Sequence, residues 1–492
     1  MVKTGLFRKI LHYSFATLVS KGLVFLILPF LTYYLLPSQY AIYSLLMFFA
    51  ALMSMFYQFG LQQSLMTLYH RQHTEAEKFK LVTTIYIAIF SIATLGTVVL
   101  LIWRQSLLKF ILHIPLTPQL EQIFILTVFF IIIDLFTAVT LILLNIRQDS
   151  RRFSYLALTK NLVFFLLIIL GAVTQRLSLF YLFASLLVAA ICSALHATNY
   201  FGKILKELKT SEQKIKLFSL PILKEVLRFG IYMLPATFAV LILQSSDRYM
   251  LNLLSPNKLQ DVGIYAAAYK IGMLMSLLTS IFDLVFFPYI LQQAESGRVK
   301  IMLRRLFLLY NILGGAIALL IILFSSEIFL ILDSNYALGG KIVFFSVISM
   351  FLRGIFNLIN LGFYILKRSR SIALGVVLGA FINLLLNYFL IPKWGMFGAG
   401  FASILAYMFI VFFNYAAVQK AFPVQYNFWF LAANIVILAF SAWINYFQIS
   451  WQLLLIKVAI ALVICGISGV LIMRSPKFEK FKEILLGKEI ER

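Results

Sequence analysis

The sequence predicts an all-α, polytopic integral membrane protein, and three observations lead there. The 492-residue chain is 62% hydrophobic and only 12% charged, about half the charged share of a water-soluble domain. Apolar runs of membrane-crossing length recur about fourteen times along it. The short segments between those runs are alternately rich and poor in lysine and arginine, as loops on opposite faces of a membrane are.

Taken in order, the expected spans are 12–36, 40–69, 80–103, 120–144, 153–174, 178–201, 225–254, 263–291, 303–331, 341–366, 371–391, 397–419, 427–447 and 451–473. The basic N-terminus leads into a long apolar run without a small-residue cleavage site, so the first run is expected to stay as a membrane helix. With that N-terminus inside, the inner segments carry 30 basic residues and the outer loops 6. This bias predicts an even number of spans and both termini in the cytoplasm. It also accounts for the net charge of +24 by topology and contact with anionic membrane lipids, with no role for nucleic acid.

Several function classes lose support. Cys192 and Cys465 lie far apart in apolar runs, and the five histidines show no paired spacing, so neither a disulfide framework nor a metal site is expected. No GxxxxGK[ST] loop is present, and the largest inner loop, 202–224, is too short for a nucleotide-binding domain. No long outer loop carries paired acids for glycan chemistry. The expectation is a transporter, not an enzyme, with no cofactor.

Six basic residues fall within spans: Lys21, Lys160, Arg248, Lys270, Arg353 and Lys457. Three acids accompany them: Asp134, Asp247 and Asp283. Charge at that depth is costly and marks a pathway or a buried pair. An excess of cation calls for water, lipid headgroups or an anionic ligand. Lys457, near the outer end of the last span, is expected to snorkel.

Helical spacing groups the rest. Ser346, Ser349, Arg353, Asn357, Asn360 and Tyr364 form one stripe on the tenth span. Gln58 and Gln62 share a face of the second, and Thr237, Gln244 and Arg248 one of the seventh. Tyr265, Tyr269, Gly272, Ser276, Thr279 and Asp283 form a stripe on the eighth, from which Lys270 points away. Such stripes suit a hydrated cavity, and equally a close helix contact. Asp247 and Lys270, at similar depth, suit a structural ion pair as well as a site. Asp134 is placed to neutralise Lys21 or Lys160. Arg353, mid-span, has no acid expected at its depth.

An internal echo divides the chain. LLPSQYAIYSLLMFF after the first span and LLSPNKLQDVGIYAAAYKI after the seventh each have a leucine pair, a proline break and an (A/G)IY re-entry. The expected organisation is a six-helix lobe over 1–201, a basic linker 202–224, a second six-helix lobe over 225–421, two added helices over 422–473 and a basic tail 474–492. Repeats of this kind build the lobes of secondary transporters.

The segments FLILPFLTYYLLPSQYAIYSLL (25–46), FGLQQSLMTLYHR (59–71), LRFGIYMLPATFAVLILQSSDRYMLNLL (227–254), GIYAAAYKIG (263–272) and INLLLNYFLIPKWGMFGAGFASILAY (382–407) resemble the polysaccharide transporter family. That family holds O-antigen and other lipid-linked oligosaccharide flippases, in the superfamily of the MATE exporters and the lipid II flippase. The resemblance implies a V-shaped bundle of fourteen helices with a cationic cavity. The implied substrate is an undecaprenyl-diphosphate-linked glycan moved from inner to outer leaflet for surface polysaccharide such as lipopolysaccharide. A polymerase and export proteins are the implied partners.

Asp247-Arg248 matches the family's Asp-Arg pair. Thr32-Tyr33 stands where relatives often have Thr-Arg, and Thr67 where they often have a basic residue, so Lys21 and Lys160 are the candidates to replace that charge. The expected substrate-binding cations are therefore Arg353, Arg248, Lys21, Lys160 and Lys270. Asn357, Asn360, Gln244, Gln58 and Gln62 supply polar lining. Asp134, Asp247 and Asp283 serve coupling to protons, sodium or membrane potential, or structure. The alternatives are a MATE-like exporter of small organic solutes, for which net acidic spans are expected, and a membrane glycan polymerase or ligase.

Overall fold

The computed structural model describes residues 2–208, 217–294, 297–366, 368–445 and 451–473. The expected tail 474–492 and the middle of the 202–224 linker lie outside the described residues. Regular structure among the described residues is helical, with no strand. Among the described residues eight helices are long and apolar enough to cross a bilayer, or up to ten if each of two bent pairs is one span. Along α7 (Ser150–Val173), Leu162, Leu166, Leu170 and Val173 are all exposed. A row of large apolar side chains at helical spacing suits lipid, and the chain is a multi-pass membrane protein.

The chain forms two compact units, and the first is Phe15–Gly263. It holds most of α1 (Val2–Tyr34), then α2 (Pro37–Gln58), α3 (Leu61–Leu68), α4 (Glu75–Ile102), α5 (Arg104–Leu112), α6 (Pro118–Ile146), α7, α8 (Leu179–Leu208) and α9 (Leu220–Leu254). Pro37 starts α2 at the first helical position, where its missing N–H costs nothing. Thr74 caps α4 in a reciprocal capping box with Glu77. The N–H groups of Thr74 and His73 hold the Glu77 carboxyl below the usual carboxylate range.

The second expected span is not one helix. Phe59 and Gly60 take left-handed φ values of 43° and 72° between α2 and α3. The reason is packing: a Cβ on Gly60 would lie 2.3 Å from the Gly230 carbonyl oxygen, and one on Gly230 2.8 Å from that of Phe59. The break takes Gln58 and Gln62 out of common register, so they no longer share one helix face.

The sequence expects the seventh span to open the second lobe; by compactness α9 falls in the unit Phe15–Gly263. Both ends of α9 are tied there. Ser64 Oγ donates to the Val226 carbonyl at 2.8 Å and the Ser219 N–H to Thr84 Oγ1 at 3.2 Å. At the other end Asn252 Nδ2 lies 3.1 Å from the carbonyls of both Ile111 and Leu112 on α5.

The second unit comprises Ile264–Arg492 with Met1–Ser14. Its helices are most of α10 (Leu259–Gly272), then α11 (Met275–Gln292), α12 (Val299–Leu323), α13 (Ser325–Ile331), α14 (Gly339–Ile365), α15 (Ser369–Gln419), α16 (Phe428–Ile444) and α17 (Trp451–Met473). The eighth expected span bends by 44° between α10 and α11. There Gly272 packs so tightly on α14 that a Cβ would sit 2.1 Å from Ser346 Oγ. α15 contains two expected spans and turns sharply at Gly395, whose φ of 53° and ψ of −131° suit glycine alone.

Lys457 does not snorkel. It is fully buried, 0% exposed, and donates to Glu327 Oε1 at 2.6 Å and Asn445 Oδ1 at 2.8 Å. Asn445 in turn donates to the Ile322 carbonyl and to Ser325 Oγ. Glu327, at the outer end of the ninth expected span, is therefore a fourth acid in the intramembrane balance. It offers a hydrogen-bonded counter-charge that a route to the headgroups does not match.

Candidate functional site

In the second unit, four residues from three helices converge. Arg353 and Asn357 are one turn apart on α14, both half-buried. Asn357 Nδ2 donates to Asp283 Oδ2 on α11 at 3.0 Å. The Tyr310 hydroxyl of α12, 3.1 Å from Thr279 Oγ1, feels the charges of both Asp283 and Arg353. Arg353 thus has an acid within about a turn of its own level, where the sequence expects none. A guanidinium presenting up to five donors beside an amide and a carboxylate can hold a phosphate or acidic sugar and still keep its charge locally balanced.

The α14 stripe divides in two. Ser346, Ser349 and Asn360 are at most 3% exposed, whereas Tyr364 is 43% exposed. Ser346 Oγ donates to the Val343 carbonyl at 2.9 Å. Asn360 Oδ1 accepts from Asn414 Nδ2 of α15 at 3.1 Å. Asn360 is therefore part of a buried amide contact, not of a cavity wall, because Gly375 on α15 leaves room for Asn414: a Cβ there would meet its Oδ1 at 2.1 Å. The α10–α11 stripe divides likewise. Tyr265, Tyr269 and Thr279 are buried, while Asp283 is exposed; Lys270, off the stripe, is half-buried.

In the first unit, Arg248 and Gln244 are half-buried on α9, and Asp247 is 2% exposed. Arg248 acts electrostatically on Tyr43 of α2, the tyrosine of the AIY re-entry. Lys21 is half-buried on α1. Gln58 and Gln62 are also half-buried, on opposite sides of the Phe59–Gly60 break. Lys160 Nζ donates to Asp134 Oδ1 at 2.6 Å and stands over the Phe130 ring. That places Asp134 with Lys160 and gives the lysine its own counter-ion.

Sequence reasoning passed over His196. Its Nδ1 lies 2.8 Å from Thr159 Oγ1 and its Nε2 3.0 Å from the Tyr200 hydroxyl. Thr159 and His196 are 37 residues apart, so only the packing of α7 on α8 reveals the chain. Among the described residues no group of histidine, cysteine or acid side chains is placed to hold a metal.

A family model described as "Polysaccharide biosynthesis protein" matches residues 6–294, more than half of the chain. The chain belongs to the polysaccharide biosynthesis protein family. This family member is similar in structure to the lipid II flippase MurJ in an inward closed conformation, with a TM-score of 0.74, 14% identity, and coverage of 94% of this chain and 98% of that one. It is also similar to the Vibrio cholerae MATE transporter VcmN, with a TM-score of 0.61, 15% identity and coverage of 85% and 97%. A multidrug resistance MATE transporter in an inward-facing conformation gives a TM-score of 0.62 at 14% identity, covering 82% and 96%. This polysaccharide biosynthesis protein shares the fold of these three transporters. No curated protein matches the sequence.

Proposed function

We propose that the protein is a secondary, alternating-access flippase. It carries undecaprenyl-diphosphate-linked oligosaccharide units from the inner to the outer leaflet of a bacterial or archaeal cytoplasmic membrane, and both its termini are cytoplasmic. One observation carries this reading: in a member of the polysaccharide biosynthesis family, Arg353 stands mid-span beside Asn357 and Asp283. A diphosphate or acidic sugar needs fixed cation in a low-dielectric site, and neighbouring amides suit sugar hydroxyls. Arg353 and Arg248 are the principal anion-binding residues, with Lys21 and Lys270 in support. Lys160, already held by Asp134, becomes a positioning residue. Asp283 is the candidate for ion coupling, since it is exposed and shares Asn357 with the anion site.

Arg353→Ala is expected to reduce glycan export at least tenfold while the protein still reaches the membrane. Unchanged export would remove Arg353 from the site. A MATE-like exporter of small solutes is the second reading, favoured by the likeness to VcmN. It predicts that a purified, reconstituted protein moves organic cations and leaves lipid-linked glycans in place.

A further inference from the structure

The inner end of α12 and the turn between α15 and α16 border an open pocket of about 520 Å³, lined chiefly by Arg304, Gln425, Tyr426, Asn427, Phe428 and Trp429. It lies within the second unit, and neither Arg353 nor Asp283 lines it. The turn is built rather than loose. The Gln419 side chain grips Val424 from both sides, accepting from its N–H at 3.1 Å and donating to its carbonyl. Asn427 Oδ1 accepts from the Trp429 N–H at 3.2 Å and caps α16. Lys300 stands over the Phe422 ring, 5.1 Å from its centre.

The chemistry of the lining is one-sided. Its polar side chains offer a guanidinium, two amide NH₂ groups and a phenol, and no carboxylate is among them. Arg304 is exposed. Tyr426 is only 8% exposed, and its hydroxyl finds no hydrogen-bond partner among the described residues. Burial raises the pKa of that phenol, so it stays protonated and remains a donor. A buried donor left unsatisfied is costly, and an oxyanion would answer it. Beside it Trp429 is 84% exposed, as tryptophans at a membrane–water boundary are.

Location names the ligand. Arg298, Lys300, Arg304, Arg305 and Lys420 cluster at this end of the bundle, the side that the loop charges assign to the cytoplasm. That leaflet carries anionic lipid, which draws basic residues near its surface. We infer that this cavity holds the phosphate headgroup of an anionic glycerophospholipid of the inner leaflet. Arg304 pairs with the phosphate, Tyr426, Gln425 and Asn427 donate to its oxygens, and Trp429 lies against the glycerol and upper acyl chain. The inference needs only the membrane topology and does not depend on what the protein transports.

The test is native mass spectrometry of the full chain in detergent. It is titrated with phosphatidylglycerol, phosphatidylcholine or inorganic phosphate. Phosphatidylglycerol is expected to give a saturable adduct, and phosphatidylcholine to bind at least tenfold more weakly. Arg304→Gln should weaken the phosphatidylglycerol adduct roughly tenfold, the loss of one charge-assisted bond. Tyr426→Phe should weaken it several-fold, and Arg305→Gln, whose side chain does not line the cavity, should leave it unchanged. Equal binding of the two lipids, equal loss in Arg304→Gln and Arg305→Gln, or displacement of the lipid by millimolar inorganic phosphate would each overturn the proposal.

Discussion

Three lysines of this protein each hold a carboxylate oxygen at the same 2.6 Å, and their surroundings differ completely. Lys457 and Glu327 are 0% and 19% exposed, Lys160 and Asp134 32% and 22%, and Lys78 and Glu75 23% and 52%, so only the first pair has a fully enclosed lysine and only the last an openly exposed acid. Distance therefore says little about what a pair contributes. A buried pair has lost hydration that only good partners replace, and removing one partner strands a charge. An exposed pair exchanges little with water. Lys457, expected to reach the headgroups, is enclosed, and of the two lysines that Asp134 was placed to neutralise, it is Lys160 that it meets.

The largest effect is expected at Lys457. Lys457→Ala should destabilise the protein by about 3–5 kcal/mol, read as a large drop in thermal midpoint in detergent. Replacing both partners, Lys457→Met with Glu327→Gln, should recover most of it. If the double variant is no better than the single one, the cost lies in packing, not in a stranded carboxylate.

Lys160→Met should cost less, about 1 kcal/mol, because both partners retain contact with the surroundings. Export should fall only modestly, in contrast to Arg353→Ala. A loss of export at Lys160 as deep as at Arg353, without loss of stability, would return Lys160 to the substrate site.

The smallest effect belongs to the exposed end of the series. Lys78→Ala should leave thermal stability within error at any salt concentration. Next to it, Glu77 tests pH. Its folded pKa is depressed by the Thr74 and His73 N–H groups, so its stabilising effect is present above the ordinary glutamate range. It is lost as pH falls through the lower, folded value. Glu77→Gln should therefore unfold more readily than the parent near neutral pH and converge with it in acid.

Much of this architecture was legible in the sequence, for a physical reason. A bilayer dictates long apolar helices, and the alternation of Lys and Arg marks their ends, so α4, α6, α7, α8, α12 and α14 fall close to where hydropathy places them. The breaks were not legible. Phe59–Gly60 and the α10–α11 bend lie inside continuous apolar runs, and their causes, Gly230 and Ser346, are distant in the chain. The site was legible in part. Spacing on one helix found Arg353 with Asn357, and the polar shoulder of Arg248. It could not show that Asp283 reaches Asn357, that Asn360 turns to Asn414, or that Glu327 reaches Lys457 across 130 residues. The Tyr43 signal was present in the AIY re-entry, but its charge partner was not.

The proposed activity is movement of a lipid-linked glycan across a membrane, and an assay that distinguishes the two leaflets tests it. The protein is depleted in its native host, and a membrane-impermeant reagent reports which face holds the lipid-linked glycan intermediates. They are expected to accumulate on the inner face, and restoring the parent protein, but not Arg353→Ala, should clear them. Intermediates that reach the outer face at the normal rate during depletion would contradict that activity.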